Sequence, residues 1–340
     1  MAGRRPWRRD GDQGIEDGDL QRRRDDCRAP EPDPYASEPV IRTAQRASKT
    51  LHSEFLELGR LRVHHTHGGR GSPVVFIHGL GSSGYMEWRK NLETVAGRHR
   101  VFAPDLPGYG RTDKPRARYT IPYFARFIER YMDDRRLRSA VIVGTSLGGR
   151  VALEVALEQP RLVRKLVLVN TLGLGRPRVR MAQVAYGLVS LPRIGEAVMG
   201  LTRDALRWAS PTMIRRVAGR YAGVSTDLEL TMDDTYLDDL REMYAADGFR
   251  GAYLSTVRAL INPRALLGGQ HDVTRRLNEL KIPVQLIWGA DDPLFPVAQA
   301  ERAHSLIERS TLAVITGAGH TPQAERPEEF NRVLHQFLDR

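Results

Sequence analysis

Short, wholly apolar runs alternate with helical stretches through most of this chain, and that alternation limits the architecture more than any other feature. Pro73-Val74-Val75-Phe76-Ile77, Val101-Phe102-Ala103, Ala140-Val141-Ile142-Val143, Leu166-Val167-Leu168-Val169, Val284-Gln285-Leu286-Ile287-Trp288 and Thr311-Leu312-Ala313-Val314-Ile315 carry almost no polar positions. Such runs suit strands covered on both faces, as in a parallel sheet. Helical patterns lie between or after them, around Trp88–Val95, Ile121–Met132, Ala152–Leu157, Ala298–Ile307 and Glu328–Leu338. Strand-helix-strand units of this kind predict an α/β fold, a mostly parallel sheet with helices on both faces. Phe55–Leu58 and Leu61–Val63, joined by a turn at Gly59-Arg60, read as two further strands ahead of it.

The alternation stops near Thr171 and resumes at Val284. The text between is helical, with glycine and proline breaks, and predicts an all-helical insertion over residues 171–272. The core is then 46–170 together with 273–340. Residues 1–45 are rich in Arg, Asp, Glu, Gly and Pro and almost free of aliphatic side chains. They cannot bury enough apolar surface to offset their ordering entropy, and read as a disordered charged tail.

Charge and cysteine narrow the function classes. The formal net charge is +11, but lysine occurs only at Lys49, Lys90, Lys114, Lys165 and Lys281, and the basic residues form no stripe interleaved with aromatics. No nucleic-acid partner is expected. A single cysteine, Cys27, rules out an internal disulfide and fits a reducing compartment. The paired arginines Arg4-Arg5 and Arg8-Arg9 are followed by no apolar segment, so they make no export signal, and a cytoplasmic location is expected. No Cys/His cluster with zinc spacing and no phosphate-cradling glycine loop is present, so neither metal nor cofactor is implied.

Chemistry concentrates at strand ends. Gly144-Thr145-Ser146-Leu147-Gly148 follows one apolar run and leads directly into a helix, which puts Ser146 at the tip of a tight bend beside a helix N-terminus. A serine hydroxyl needs a base to take its proton, and an acid to orient that base. His320, in Gly317-Ala318-Gly319-His320, lies just past the last strand. Asp292, in Trp288-Gly289-Ala290-Asp291-Asp292-Pro293, lies past the one before. His64, His65 and His67 read as a surface turn, and His335 as part of the terminal helix. Asp291 competes with Asp292 for the acid's place.

The order Ser146, Asp292, His320 resembles that of the α/β-hydrolase superfamily. So do His78-Gly79-Leu80-Gly81, Asp105-Leu106-Pro107-Gly108-Tyr109-Gly110-Arg111-Thr112, Gly289-x-x-Asp292-x-x-x-Pro296 and Gly319-His320-Thr321-Pro322. The resemblance runs from about Leu51 to the C-terminus. It implies an eight-stranded sheet, Ser146 as nucleophile, His320 as general base and acid, Asp292 as orienting carboxylate, and the backbone N–H groups of Leu80 and Leu147 as oxyanion hole. His78 then holds the loop that shapes the oxyanion hole, and Asp105 bonds turn amides around Gly108. The insertion becomes a cap. Serine at the elbow argues against haloalkane dehalogenases and epoxide hydrolases, which use aspartate there. The reading that remains is a serine esterase or lipase-like enzyme acting on a hydrophobic carboxylic ester. A C–C bond hydrolase of the meta-cleavage type is the alternative, weakened by Thr321 where many carry Trp; a cofactor-free haloperoxidase-like enzyme is another. Met181, Val184, Leu188, Leu191, Ile194, Val198 and Leu201 are expected to bury against the sheet domain, or to line a tunnel for an acyl chain. Arg176, Arg178 and Arg180 read as a solvated basic face, with weak contact to a membrane surface or acyl carrier as the sharper option. Oligomeric state is not legible.

Overall fold

The computed structural model describes residues 51–175, 187–221, 228–260 and 272–340. The tail at 1–45, Cys27, Arg176, Arg178, Arg180, Met181 and Val184 lie outside them.

One eight-stranded sheet organises the chain, in the order β1-β2-β4-β3-β5-β6-β7-β8. The strands are β1 (Leu51–Leu58), β2 (Leu61–Gly68), β3 (Pro73–Ile77), β4 (Arg100–Pro104), β5 (Ala140–Thr145), β6 (Val163–Val169), β7 (Val284–Gly289) and β8 (Ser310–Ile315). Only β2 runs against its neighbours; β4 through β8 and β3 are mutually parallel. Period-two alternation splits each central strand between two cores. Val75, Ile77, Ile142, Leu166, Leu168, Leu286 and Trp288 face one side. Val74, Phe76, Val141, Val143, Val167, Val169 and Ile287 face the other. Each such fully buried side chain contributes about 1.5–3 kcal/mol relative to exposure.

Helix α3 (Ile121–Asp134) and α4 (Leu147–Glu158) cover the first face. The second is covered by α1 (Gly84–Trp88), α2 (Leu92–Ala96) and the terminal helix Pro327–Leu338, through Trp88, Leu92, Val95, Phe330 and Leu334. The helical stretch expected around Trp88–Val95 is therefore two short helices. Thr120 caps α3 by accepting from the Tyr123 amide at 3.3 Å, with Pro122 in its first turn.

The early histidines do not form a surface turn. They belong to β2, which is paired on both sides, and His64 and His65 are buried. A two-residue connection, with Gly59 at φ 70°, lets β2 follow β1 directly, so the ribbon extends well past Val63.

Between β6 and β7 the described residues are helical: Ile194–Trp208, Pro211–Tyr221, Leu228–Thr231, Asp234–Ala245 and Phe249–Leu260. Polar and aromatic contacts tie them to the loops at the strand ends. The Tyr109 hydroxyl donates to Thr256 Oγ1 at 2.7 Å, and Arg89 pairs with Asp233 at 2.7 Å. Gly81 faces the Tyr253 ring. The apolar stripe expected to bury does not. Leu188, Leu191, Ile194, Val198 and Leu201 are all exposed, and the helix Ile194–Trp208 buries Gly195, Met199 and Leu206 instead. Helical spacing identified a face, but its direction depends on packing between helices distant in sequence.

Candidate active site

The six parallel strands end at one edge of the sheet, and every motif residue lies there. From β3 the chain steps to β4 on one side and β5 on the other. That reversal opens a crevice between the β3 and β5 ends, where open α/β sheets place ligands. Gly79 and Leu80 leave β3, Ser146 leaves β5, Asn170 leaves β6, Asp292 leaves β7 and His320 leaves β8.

Ser146 has φ 51° and ψ −115°, a left-handed conformation costing a side-chain-bearing residue about 1–3 kcal/mol. The chain holds it there by close packing. A Cβ on Gly144 would meet the Gly148 carbonyl at 2.4 Å, and one on Gly148 would meet the Ile77 carbonyl at 2.3 Å, so the glycines let β5, α4 and β3 touch. The Ser146 amide donates to the Val169 carbonyl at 3.0 Å, tying the bend to the end of β6. The side chain is half-buried. Leu147, next along, is the first residue of α4, where amides have no acceptor within the helix.

His320 Nδ1 lies 3.0 Å from Asp292 Oδ2, with the imidazole and carboxylate both buried. A proton on Nδ1 leaves Nε2 as the basic nitrogen. Asp292 is also held through Oδ1, which accepts from the amides of Leu294 at 2.7 Å and Phe295 at 3.2 Å. Burial alone would raise the Asp292 pKa. The adjacent His320 and the N–H groups of Asn170 and Leu294 outweigh it and hold the carboxyl below its ordinary value. For His320, burial works to lower the pKa, and Asp292 reverses this and holds the imidazole above its ordinary value, with smaller pushes from Glu87 and Glu325. Asp291 is exposed and takes no part in the pair.

Sequence reasoning missed three residues. Asn170, at φ 39°, donates from Nδ2 to Asp292 Oδ2 and to the Gly319 carbonyl, and accepts from the Gly289 amide at 3.0 Å. It therefore joins the ends of β6 and β7 and the His320 loop, one residue from the carbonyl that holds Ser146. Glu325 is fully buried and accepts from the amides of Gly319 at 2.9 Å and Thr321 at 3.0 Å, bracketing His320. Glu87, on α1, accepts from the Gly79 amide at 3.3 Å and from Gln323 Nε2 at 2.6 Å. A Cβ on Gly79 would lie 3.5 Å from the Glu87 carboxylate and 3.6 Å from Ser146 Cβ, so both flank one point. The only signals in the sequence were their positions, just after a strand or on a helix beside a motif loop.

His78 and Asp105 are structural. His78 donates from Nδ1 to the Gly79 carbonyl at 2.8 Å and accepts the Leu106 amide on Nε2 at 2.9 Å, and burial lowers its pKa. Asp105 accepts the amides of Gly84 at 2.7 Å and Arg111 at 2.9 Å and contacts His64 Nδ1 at 2.8 Å. It thus reaches beyond the turn at Gly108 to α1 and β2.

The model of the alpha/beta hydrolase fold matches residues 72–327. The chain belongs to this family. Among relatives of this alpha/beta hydrolase, an uncharacterised protein of Mycobacterium tuberculosis is 33% identical over 274 residues, covering 80% of this chain and 76% of that one. A 2-hydroxy-6-oxo-6-(2'-aminophenyl)hexa-2,4-dienoic acid hydrolase of Metapseudomonas resinovorans is 27% identical over 308 residues, covering 87% and 94%. A meta-cleavage product hydrolase from Pseudomonas fluorescens IP01 superposes with a TM-score of 0.66 at 26% identity, over 85% of this chain and 97% of that chain. Among the described residues, no helix is long and apolar enough to cross a membrane.

Proposed function

We propose that this alpha/beta hydrolase cleaves a neutral, hydrophobic carboxylic ester through an acyl-enzyme on Ser146. The observation that carries the reading is the buried His320–Asp292 pair, joined through Asn170 to the strand end that holds the strained Ser146. In this reading His320 Nε2 takes the Ser146 proton as Oγ attacks the ester carbonyl. The Leu80 and Leu147 amides stabilise the oxyanion. The proton then passes to the leaving alcohol, and water attacks the acyl-enzyme by the same route reversed. Asp292 stabilises the imidazolium and fixes its orientation. Residues 171–272 act as the cap that shapes the acyl pocket.

A second reading, cleavage of a C–C bond in a dienoic acid, is favoured by the activities for which two similar proteins are named. Two features of this chain weigh against it. Thr321 follows the histidine, and the half-buried Glu87 carboxylate lies beside the Gly79 loop, where an anionic substrate would meet a like charge. Turnover of p-nitrophenyl esters of graded chain length, set against a 2-hydroxy-6-oxodienoate, separates the readings. Esters are expected to turn over and the dienoate not. The reverse order would overturn the proposal. Glu87→Gln is expected to raise kcat/KM for a monoanionic succinyl ester about tenfold relative to that for a neutral butyryl ester.

A further inference from the structure

A second cluster of ionisable side chains lies on the antiparallel ribbon at the sheet edge. Its register sets His52 opposite His67 and Glu54 opposite His65. Because side chains alternate along a strand, all four share one face. Glu54 Oε1 lies 2.9 Å from His67 Nε2 and 3.4 Å from His65 Nε2, and the three ligand-type atoms all fall within 4.8 Å of one another. A tetrahedral zinc ion with bonds of about 2.0–2.1 Å keeps its ligands about 3.3 Å apart, so small rotamer changes suffice to close the site. The His52 ring centroid is 5.6 Å from that of His67, within reach of a fourth position.

We propose that Glu54, His65 and His67, with His52 as fourth ligand, bind a divalent transition-metal ion of the zinc class that clamps β1 to β2. The donor set decides the class of metal, since imidazoles with one carboxylate suit zinc rather than magnesium or calcium. His65 is preorganised. Its Nδ1 lies 2.7 Å from the Tyr131 hydroxyl on α3, which can accept from Nδ1–H and so permits the tautomer that turns an Nε2 lone pair to a metal in place of the 3.4 Å contact between Nε2 and Glu54. His67 Nε2 is shielded from solvent and lies 2.9 Å from the Glu54 carboxylate. Arg135, at the end of α3, opposes a cation here, and the Glu54 carboxylate offsets it. Zinc-finger spacing does not reveal such a site, because two ligands come from each of two strands. The ribbon edge is four strand positions from β5, roughly 19 Å across the sheet, so the ion acts on the ribbon and not on Ser146.

The test titrates metal-free full-length protein with zinc chloride alone at neutral pH, in competition with a chromophoric chelator. The wild type is expected to bind one equivalent with micromolar or tighter affinity and to gain several degrees in Tm. Cobalt is expected to show the visible bands of a tetrahedral complex. Glu54→Gln with His67→Gln is expected to weaken zinc at least a hundredfold and abolish the Tm gain, with ester turnover unchanged as the control for folding. Should that pair fail to fold, the half-exposed Glu54→Gln alone carries the test, with an expected loss of tenfold or more. Equal zinc affinity in wild type and variant, or no micromolar binding by the wild type, would overturn the proposal.

Discussion

Two histidine–carboxylate pairs in this molecule show opposite electrostatics. At the strand ends, Asp292 has no exposed side-chain surface and lies 3.0 Å from His320, whose pKa is held above its ordinary value. At the sheet edge, Glu54 is half exposed, and burial of His65 prevails over it, pushing that imidazole down to about 4. Both pair an imidazole with a carboxylate, and they differ in the exposure of that carboxylate and in the positive neighbours His67 and Arg135, which also push His65 down. An unscreened charge outweighs the desolvation of its neighbour, whereas a charge open to water does not. The first pair is fit to accept a proton and stabilise the result. The second gathers two imidazole nitrogens and a carboxylate oxygen within 4.8 Å of one another.

Substitutions can break or sharpen this contrast, beginning with the largest effect. Asp292→Asn should lower kcat/KM for esters by about 10⁴-fold, because the imidazole loses its tautomer and its counter-charge. Asp291→Asn should change it less than twofold, and steady-state kinetics of the two variants would reveal an exchange of roles. Asn170→Leu should cost about 10- to 100-fold through misplacement of Asp292 and the His320 loop, with the loss in kcat rather than KM. The pH profile follows from the direction of the His320 shift. The base must be neutral, so kcat/KM should fall as pH drops through a midpoint above the ordinary histidine value of 6.5. Replacing Asp292 by Asn should move any residual midpoint downward. Glu54→Gln should be the mildest change, leaving ester turnover intact and shifting metal-free stability by less than about 1 kcal/mol in urea denaturation, as expected for a half-exposed pair.

How much could be read from the sequence follows from how local each feature is. The strands and their mostly parallel sheet rest on apolar runs that are contiguous in the chain, and Ser146 on a strand-turn-helix spelled out within five residues. Both were legible. His320 and Asp292 could be placed because each follows a strand within a recognisable loop. Asn170 carries no motif, and its role arises only when the β6, β7 and β8 ends meet. Glu87 reads as a polar position on a short helix until α1 docks beside Gly79. His65 and His67 looked like a surface turn because β2 is polar in sequence, although it is paired on both sides. The helices between β6 and β7 were legible as helices, but not in which face they bury, since that is set by contacts between residues far apart.

Labelling of wild type and Ser146→Ala with a fluorophosphonate probe tests the central assignment most directly. Wild type should take up one equivalent at a rate that rises with pH as His320 loses its proton, and Ser146→Ala should take up none. Equal labelling of the two proteins would contradict the account.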